Sequence, residues 1–111
     1  METFKFKKNY NNKLCCGVFT TIRPHKPSRK PGDIVCIELL EAGNEYKGKA
    51  RIRHIATARL KEIPEHTFAT DCGMDKKLSM ELFRDIYKPY GLDADTMMFD
   101  IIVLTHHFES E

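Results

Sequence analysis

The fold of this chain depends most on the stretch TTIRP at residues 20–24 and the stretch PGDIV at residues 31–35. The first stretch predicts a strand that ends in an arginine, because β-branched residues favour strands. The second predicts a tight Pro-Gly-Asp turn that starts an apolar strand. Between them lies the cationic segment HKPSRK at residues 25–30, which neighbouring prolines stiffen. A cationic loop held between two rigid elements is suited to meet an anion.

Hydrophobic periodicity predicts several strands and one well-defined helix. Strands are expected at residues 4–7, 18–22, 34–40, 46–60 and 97–104. Asp75 is a good N-cap for a helix over residues 76–87, with an apolar stripe of Leu78, Leu82, Phe83 and Ile86. A shorter helical turn is expected to start near Pro64, followed by a loop at residues 71–73. These elements predict a small α+β protein with about five or six strands and two helices.

Length and composition limit the classes of function. The chain has 111 residues, 41% hydrophobic and 31% charged, which is typical of one soluble domain spanning residues 1–111. It lacks an apolar run of membrane-helix length and the apolar block of a secretory signal, so we expect a cytoplasmic protein without a membrane partner. The spacing of the cysteines and histidines predicts neither a disulfide nor a metal site. We expect reduced, mostly buried thiols and no cofactor.

Charge is divided unevenly along the chain. Residues 1–61 contain 14 Lys and Arg against 5 Asp and Glu, whereas residues 62–111 contain 4 against 11. If the two halves occupied different faces, the basic half would attract phosphates over a long range. If they interleave in the fold, they neutralise each other. The sequence leaves both arrangements open.

Two groups of cations are candidates for one binding cleft. The strand end and the loop contribute Arg23, Lys26, Arg29 and Lys30, and a later strand contributes Lys49, Arg51 and Arg53. The latter three alternate and so share one strand face, with a bulge expected near His54. Arginine grips phosphate through two hydrogen bonds, and such a surface follows a nucleic-acid backbone without reading bases. The predicted ligand is RNA or a nucleotide-like anion, bound by Arg23, Lys26, Arg29, Lys30, Arg51 and Arg53.

A structural explanation of these cations stays open beside the functional one. Charged strand faces are often only solvated surface. Arg23 could also hold the mouth of a barrel together by donating to backbone carbonyls or to Asp33. A third class of function, protein interaction, would use apolar residues such as Met97, Met98 and Phe99. The oligomeric state is not predicted.

The Thr-Ile-Arg strand end, the Gly-Asp turn at residues 32–33 and the hydrophobic strand that follows resemble the signature of the ASCH domain. This family consists of small β-barrels with a PUA-like fold. The resemblance continues through a basic strand near residues 49–59, the turn at residues 63–65, a helix that ends at residue 87 and a last apolar strand. It implies a PUA-like mixed β-barrel. Family members include proteins suspected to bind RNA and a small amidohydrolase that acts on acetylated cytidine.

The amidohydrolase branch of the family supplies a second hypothesis. There, a lysine, a threonine two positions before the arginine and a glutamate before the helix act on the acetyl amide of a modified nucleoside. Thr21 and the arginine match, but the lysine position falls on Val18 and the glutamate position on Cys72. Asp71 is the nearest carboxylate, so the candidate catalytic residues are Thr21 and Asp71.

The missing amine is the weak point of the hydrolase hypothesis. A lysine can activate a threonine hydroxyl only if it lies beside it with a lowered pKa. Lys26 or Lys30 would have to swing in from the loop to replace the lost lysine. Without that replacement, the sequence favours binding over hydrolysis.

Overall fold

The computed structural model describes residues 1–108 and shows an α+β protein built on one five-stranded mixed sheet. The strands are β1 (Thr3–Phe6), β2 (Val18–Pro24), β3 (Ile34–Leu39), β4 (Tyr46–Ala58) and β5 (Phe99–His107). Two α-helices precede β5, α1 (Glu65–Cys72) and α2 (Lys76–Tyr87). Short 3-10 helices occupy Tyr10–Cys15, Leu60–Glu62 and Lys88–Tyr90. The predicted α+β class, with a small mixed sheet of five strands and two helices, is confirmed.

The strands are ordered β1-β3-β4-β5-β2, so β1 and β2 are the two edges of the sheet. β1 runs parallel to β3, and the other neighbouring pairs are antiparallel. The sheet curls until its edges approach each other, where Arg23 of β2 donates a hydrogen bond to the Lys5 carbonyl of β1 at 2.8 Å. Within residues 1–108 no strand ladder joins these edges, so the barrel is a half-barrel. We call the gap between β1 and β2 the open seam.

The hydrophobic core consists of two clusters. One lies inside the curled sheet and contains Phe4, Phe19, Ile37, Ile52 and Leu104 among others. The other packs the helices against the end of the sheet through Phe68, Phe83 and Phe99. Helix α1 contacts both β2 and the 3-10 helix Tyr10–Cys15. The second cluster therefore fixes the helices beside the open seam.

Strand β4 contains the bulge that the sequence predicts. Its pairing with β5 shifts in register between Ile52 and His54. Before the bulge, Ala50 and Ile52 are buried at 0% and 1% exposure, and Lys49 and Arg51 alternate with them on the outer face. A bulge increases local twist, which helps a long strand to follow a curled sheet.

Helix α1 continues further than the sequence indicates. The sequence predicts a loop at residues 71–73, but α1 extends to Cys72 and ends at Gly73. Gly73 adopts a left-handed conformation with φ of 70°, which glycine reaches without steric strain. Asp71 consequently lies on a helix and is buried at 3% exposure. A rigid element holds this carboxylate, which the sequence places in a loop.

The buried face of α2 is also rotated from its predicted position. Asp75 caps the helix as expected, because its side chain accepts from the Leu78 amide at 2.8 Å. The residues that α2 buries are Ser79 and Phe83, whereas Leu78 and Ile86 remain 50% and 43% exposed. Of the predicted stripe, Phe83 is confirmed as a core residue, whereas Leu78 and Ile86 are not part of the core. The stripe lies partly exposed because the sheet contacts the neighbouring face.

The expectation of mostly buried thiols is wrong as well. The four cysteines are free, and Cys15 and Cys16 are exposed while Cys36 is half-buried. Cys72 is the buried one. The exposed pair lies at the end of a 3-10 helix that contacts the rest of the fold through Lys13 and Leu14, which are buried.

Candidate anion-binding site

The loop at residues 25–30 is folded onto Asp100. This carboxylate is 1% exposed and lies in β5, next to the loop. It accepts four hydrogen bonds, from His25 Nδ1 at 2.7 Å, the Lys26 amide at 3.1 Å, Arg29 Nη1 at 2.9 Å and Thr57 Oγ1 at 2.8 Å. Burial acts to raise the pKa of Asp100, but the hydrogen bonds outweigh burial and lower the pKa below its ordinary value. Asp100 is thus the charged anchor of the loop.

Arg29 pairs with carboxylates of the protein itself. Its Nε and Nη2 donate to the two carboxylate oxygens of Glu2 at 2.9 and 2.8 Å, and Nη1 donates to Asp100. The side chain is 5% exposed. Two carboxylates neutralise this guanidinium, so it has little attraction left for a ligand anion. Lys26 Nζ lies 3.4 Å from the same Glu2, and Lys30 is exposed.

Arg23 has a different environment. Its Nε donates to Thr21 Oγ1 at 3.1 Å and its Nη2 to the Lys5 carbonyl at 2.8 Å. The guanidinium carbon lies 4.9 and 4.7 Å from the ring centroids of Phe4 and Phe6. None of the ion pairs within residues 1–108 involves Arg23. Burial lowers the pKa of Arg23, because an apolar environment disfavours the charged form.

Arg23 borders a cavity of about 270 Å³ that opens at the seam. Five cationic side chains line it, namely Lys5, Lys7, Lys8, Lys13 and Arg23. Its apolar wall consists of Phe6, Ile22, Leu82, Phe83 and Ile86. The partly exposed residues of α2 thus form one side of a pocket. A ligand with an anionic end and an apolar body matches this lining.

Lys13 and Asp71 form a buried ion pair in the wall of the cavity. Lys13 Nζ lies 3.0 Å from Asp71 Oδ1, and the two side chains are 8% and 5% exposed. Thr20 Oγ1 donates to the same oxygen at 2.7 Å, and Cys72 Sγ donates to Oδ2 at 3.3 Å. Sequence reasoning missed Lys13, because its partner is 58 positions away and its own segment has no clear period.

Two further groups in the cavity wall keep their protons at neutral pH. Burial, together with the charge of Asp71, raises the pKa of the Cys72 thiol to about 12, so this cysteine is not a thiolate nucleophile. Burial also raises the pKa of Tyr87, although the nearby Arg23 charge acts in the opposite direction. A protonated phenol beside a guanidinium is a second donor for an anion.

The cations of β4 form a separate group on the outer face of the sheet. Arg51 Nη1 donates to the Gly32 carbonyl at 3.0 Å, and Arg53 Nε donates to Thr105 Oγ1 at 2.8 Å. Neither arginine lines the cavity beside Arg23. The structure therefore divides the cations that the sequence assigns to one cleft among three places, the Asp100 anchor, the seam cavity and the outer face. The loop cations do not reach the cavity because Glu2 and Asp100 hold the loop.

Two other cavities suit an anion less well. One, of about 290 Å³, has Arg29 as its cation, already paired with Glu2. The other, of about 430 Å³, is lined by Glu41 and Glu45 without a cation. Among the residues that the structure describes, no group of three or more His, Cys, Asp or Glu is placed to hold a metal ion. No helix in the same part of the chain is long and apolar enough to cross a membrane.

Comparison with known proteins establishes the fold but no relative in sequence. No family model matches the chain, and no curated protein matches it. The solved structure of protein EF3133 from Enterococcus faecalis V583, which carries the family description DUF984, is similar with a TM-score of 0.65 and 9% identity. The match covers 100% of this chain and 87% of that chain. At this identity the likeness shows a shared fold alone, and the ASCH resemblance continues to rest on its short motifs.

Proposed function

We propose that the protein binds a nucleotide-like anion, free or as part of an RNA, in the cavity beside Arg23. The observation that carries this proposal concerns the hydrogen bonds and the charge of the Arg23 guanidinium. It is oriented by Thr21 and the Lys5 carbonyl, yet no carboxylate among residues 1–108 pairs with it. A partly buried charge without a counter-ion is unfavourable. A bound phosphate would supply that counter-ion.

The rest of the lining matches the two ends of a nucleotide. Lys5 and Lys7 stand at the cavity with Arg23, and together they can neutralise a phosphate. Leu82 and Ile86 of α2 provide an apolar surface for a base. Pockets that bind small molecules have volumes of about 300 Å³ and more. A cavity of about 270 Å³ is at the lower end of this range, so it suits one nucleoside unit and not several.

Replacing Arg23 with Gln is expected to weaken mononucleotide binding by about 10-fold to 100-fold. The physical reason is the loss of a charge-assisted hydrogen bond, which contributes about 1.5–3 kcal/mol. Calorimetric titration with AMP, CMP, GMP and UMP measures the effect, and thermal melting checks that the variant is folded. Wild-type affinity should fall as salt rises.

The matched control for this substitution is Lys30→Gln, which removes one positive charge from an exposed position outside the cavity. It should change the affinity less than twofold. A folded Arg23→Gln variant that binds as tightly as the wild type would contradict the proposal. Failure of all four mononucleotides to bind the wild type would contradict it too.

A second function, hydrolysis of an acetyl amide on a modified nucleoside, is favoured by one specific observation. Lys13, Thr21 and Asp71 line the same cavity. Val18, at the family's lysine position, is 60% exposed, and neither Lys26 nor Lys30 lines the cavity. Lys13 is therefore the amine in place to replace the family lysine.

Hydrolysis would begin with attack of the Thr21 hydroxyl oxygen on the acetyl carbonyl carbon. The Lys13–Asp71 pair would accept the Thr21 hydroxyl proton and pass it to the departing nucleoside nitrogen. Water would then release acetate from the threonine ester. The nearby Arg23, which already donates to Thr21 Oγ1, holds the hydroxyl in position.

The hydrolase proposal predicts that purified protein releases cytidine from acetylcytidine. Thr21→Ala should lower this rate by about 100-fold or more, since a group that takes part in the chemistry is removed. Chromatography of the nucleosides measures the product, and Thr3→Ala, an exposed threonine of β1, is the control. Absence of cytidine with the wild-type protein would exclude this reaction and leave the binding proposal in place.

A further inference from the structure

We propose that the ligand is a polymer, a single-stranded RNA that places one nucleotide in the seam cavity and lays the phosphates next to it over the outer face of β3 and β4. This inference rests on the proposed anion-binding function of Arg23. It assigns a role to cations that the cavity does not use. We call Lys47, Arg51 and Arg53 the outer-face cations.

Lys5 connects the cavity with the outer face of the sheet. It lines the cavity, and in β1 it is exposed, between the buried Phe4 and Phe6. Its partner across the parallel pair is Glu38 of β3, and the partner of Glu38 in β4 is Lys47. Neighbouring strands lie about 4.8 Å apart, so about 10 Å of backbone separates Lys5 from Lys47. A chain leaving the cavity at Lys5 reaches the outer-face cations within a few nucleotides.

The two outer-face arginines are oriented without being neutralised. Arg51 and Arg53 donate to a backbone carbonyl and to a hydroxyl, and both acceptors are uncharged. None of the ion pairs within the described part of the chain includes an outer-face cation. Glu38 lies between Lys5 and Lys47 in the sheet, and its carboxylate can neutralise one of their two positive charges. The face therefore keeps a net positive charge, in contrast to Arg29 with its two carboxylates.

The cavity volume bears on whether the ligand is a polymer or a free mononucleotide. A space of about 270 Å³ accommodates one nucleoside unit, so further phosphates must lie outside it. A free mononucleotide would leave the outer-face cations without a role. Arg51 and Arg53 alternate along β4 about 7 Å apart, and Lys47 lies about 13 Å before Arg51, so the three cations can contact phosphates along an extended single strand. Backbone contacts of this kind give affinity without base preference.

The test compares two triple variants that remove the same charge. Lys47→Ala/Arg51→Ala/Arg53→Ala removes the outer-face cations, and Lys61→Ala/Lys77→Ala/Lys88→Ala removes three exposed lysines near the helices. Fluorescence anisotropy measures binding of a ten-nucleotide RNA of mixed sequence over a range of salt, and calorimetry measures mononucleotides. The outer-face variant should lose at least about 10-fold in RNA affinity. The slope of log K against log salt should fall by about 2, since each phosphate contact on a single strand contributes about 0.7.

The remaining outcomes separate this inference from the proposed function. The outer-face variant should bind mononucleotides as the wild type does, and the helix-side control should change RNA affinity less than twofold. Arg51→Lys/Arg53→Lys keeps the charges and should retain most of the RNA affinity, which guards against a loss caused by misfolding. Equal RNA affinity of the outer-face variant and the wild type would overturn the inference. If the wild type binds mononucleotides but binds the RNA no more tightly, this inference is wrong and the proposed function stands. If the wild type binds neither ligand, both are wrong.

Discussion

Replacing Asp100 with Ala is expected to lower the free energy of unfolding by about 3–5 kcal/mol, the effect of breaking a buried ion pair from one side. The substitution leaves Arg29 at 5% exposure with Glu2 as its remaining carboxylate partner. It also removes the acceptor of the His25 ring and of the Thr57 hydroxyl. Asp100→Asn should cost less, because the amide oxygen still accepts hydrogen bonds. Urea denaturation followed by circular dichroism measures both values.

Asp95→Ala is the matched control for Asp100→Ala. Asp95 also pairs with an arginine, Arg84 at 3.0 Å, but the two side chains are 47% and 45% exposed. Exposed ion pairs contribute about 0–1 kcal/mol, so this control should change stability little. If both substitutions lower stability by the same amount, Asp100 does not anchor the loop.

The same anchor makes stability depend on pH in the acid range. Hydrogen bonding to Arg29 lowers the pKa of Glu2 against the opposing effect of burial, and the pKa of Asp100 is lowered as well. A carboxylate with a lowered pKa in the folded state stabilises the fold above its unfolded pKa, about 4, and this stabilisation is lost as pH falls through the folded value. Stability should therefore fall below about pH 4, and less steeply in Asp100→Ala.

The second large effect is expected for Lys13→Met, which should lower the free energy of unfolding by about 3–5 kcal/mol. The substitution leaves the Asp71 carboxylate buried without its cation, although Thr20 and Cys72 still donate to it. Lys13 lies over the Phe6 ring, with Nζ 5.2 Å from the centroid. Methionine can occupy much of the same space, so the loss reflects charge and not an empty cavity. Urea denaturation at neutral pH measures it.

A double-mutant cycle tests the interpretation of Lys13→Met. Adding Asp71→Asn removes the uncompensated charge, and the double variant should recover to within about 2 kcal/mol of the wild type, because a buried ion pair is often no more stable than a neutral replacement. Lys30→Met, at an exposed position, is the control. If Lys13→Met alone is as stable as the wild type, the ion pair does not stabilise the fold.

A stable but inactive double variant would bear on function. A neutral pair at residues 13 and 71 would hold the helix and the 3-10 segment together as the ion pair does. Loss of hydrolysis or of ligand affinity in such a variant would show that the charges serve the cavity and not the fold. The stability and function measurements therefore separate the two roles of Lys13 and Asp71.

Arg23 and Arg29 show how far sequence reasoning about the site can reach. They are six positions apart, have the same side chain, and belong to the same predicted binding set. In the structure Arg29 meets two carboxylates, whereas Arg23 meets a hydroxyl, a carbonyl and two aromatic rings. Nothing in the local pattern separates them. The difference comes from Glu2 and Asp100, which the sheet brings to one arginine and not to the other.

Local sequence was enough to predict the strands, the Asp75 helix cap, the β4 bulge and the fold class, because backbone conformation depends mainly on residues within a few positions. Folding alone placed Lys13 beside Asp71 and Arg29 beside Asp100, across separations of 58 and 71 residues. It also turned the α2 stripe toward the open seam. Charge pairing and burial are contacts between distant parts of a chain, and periodicity along the chain carries no information about which distant partner each cation will meet.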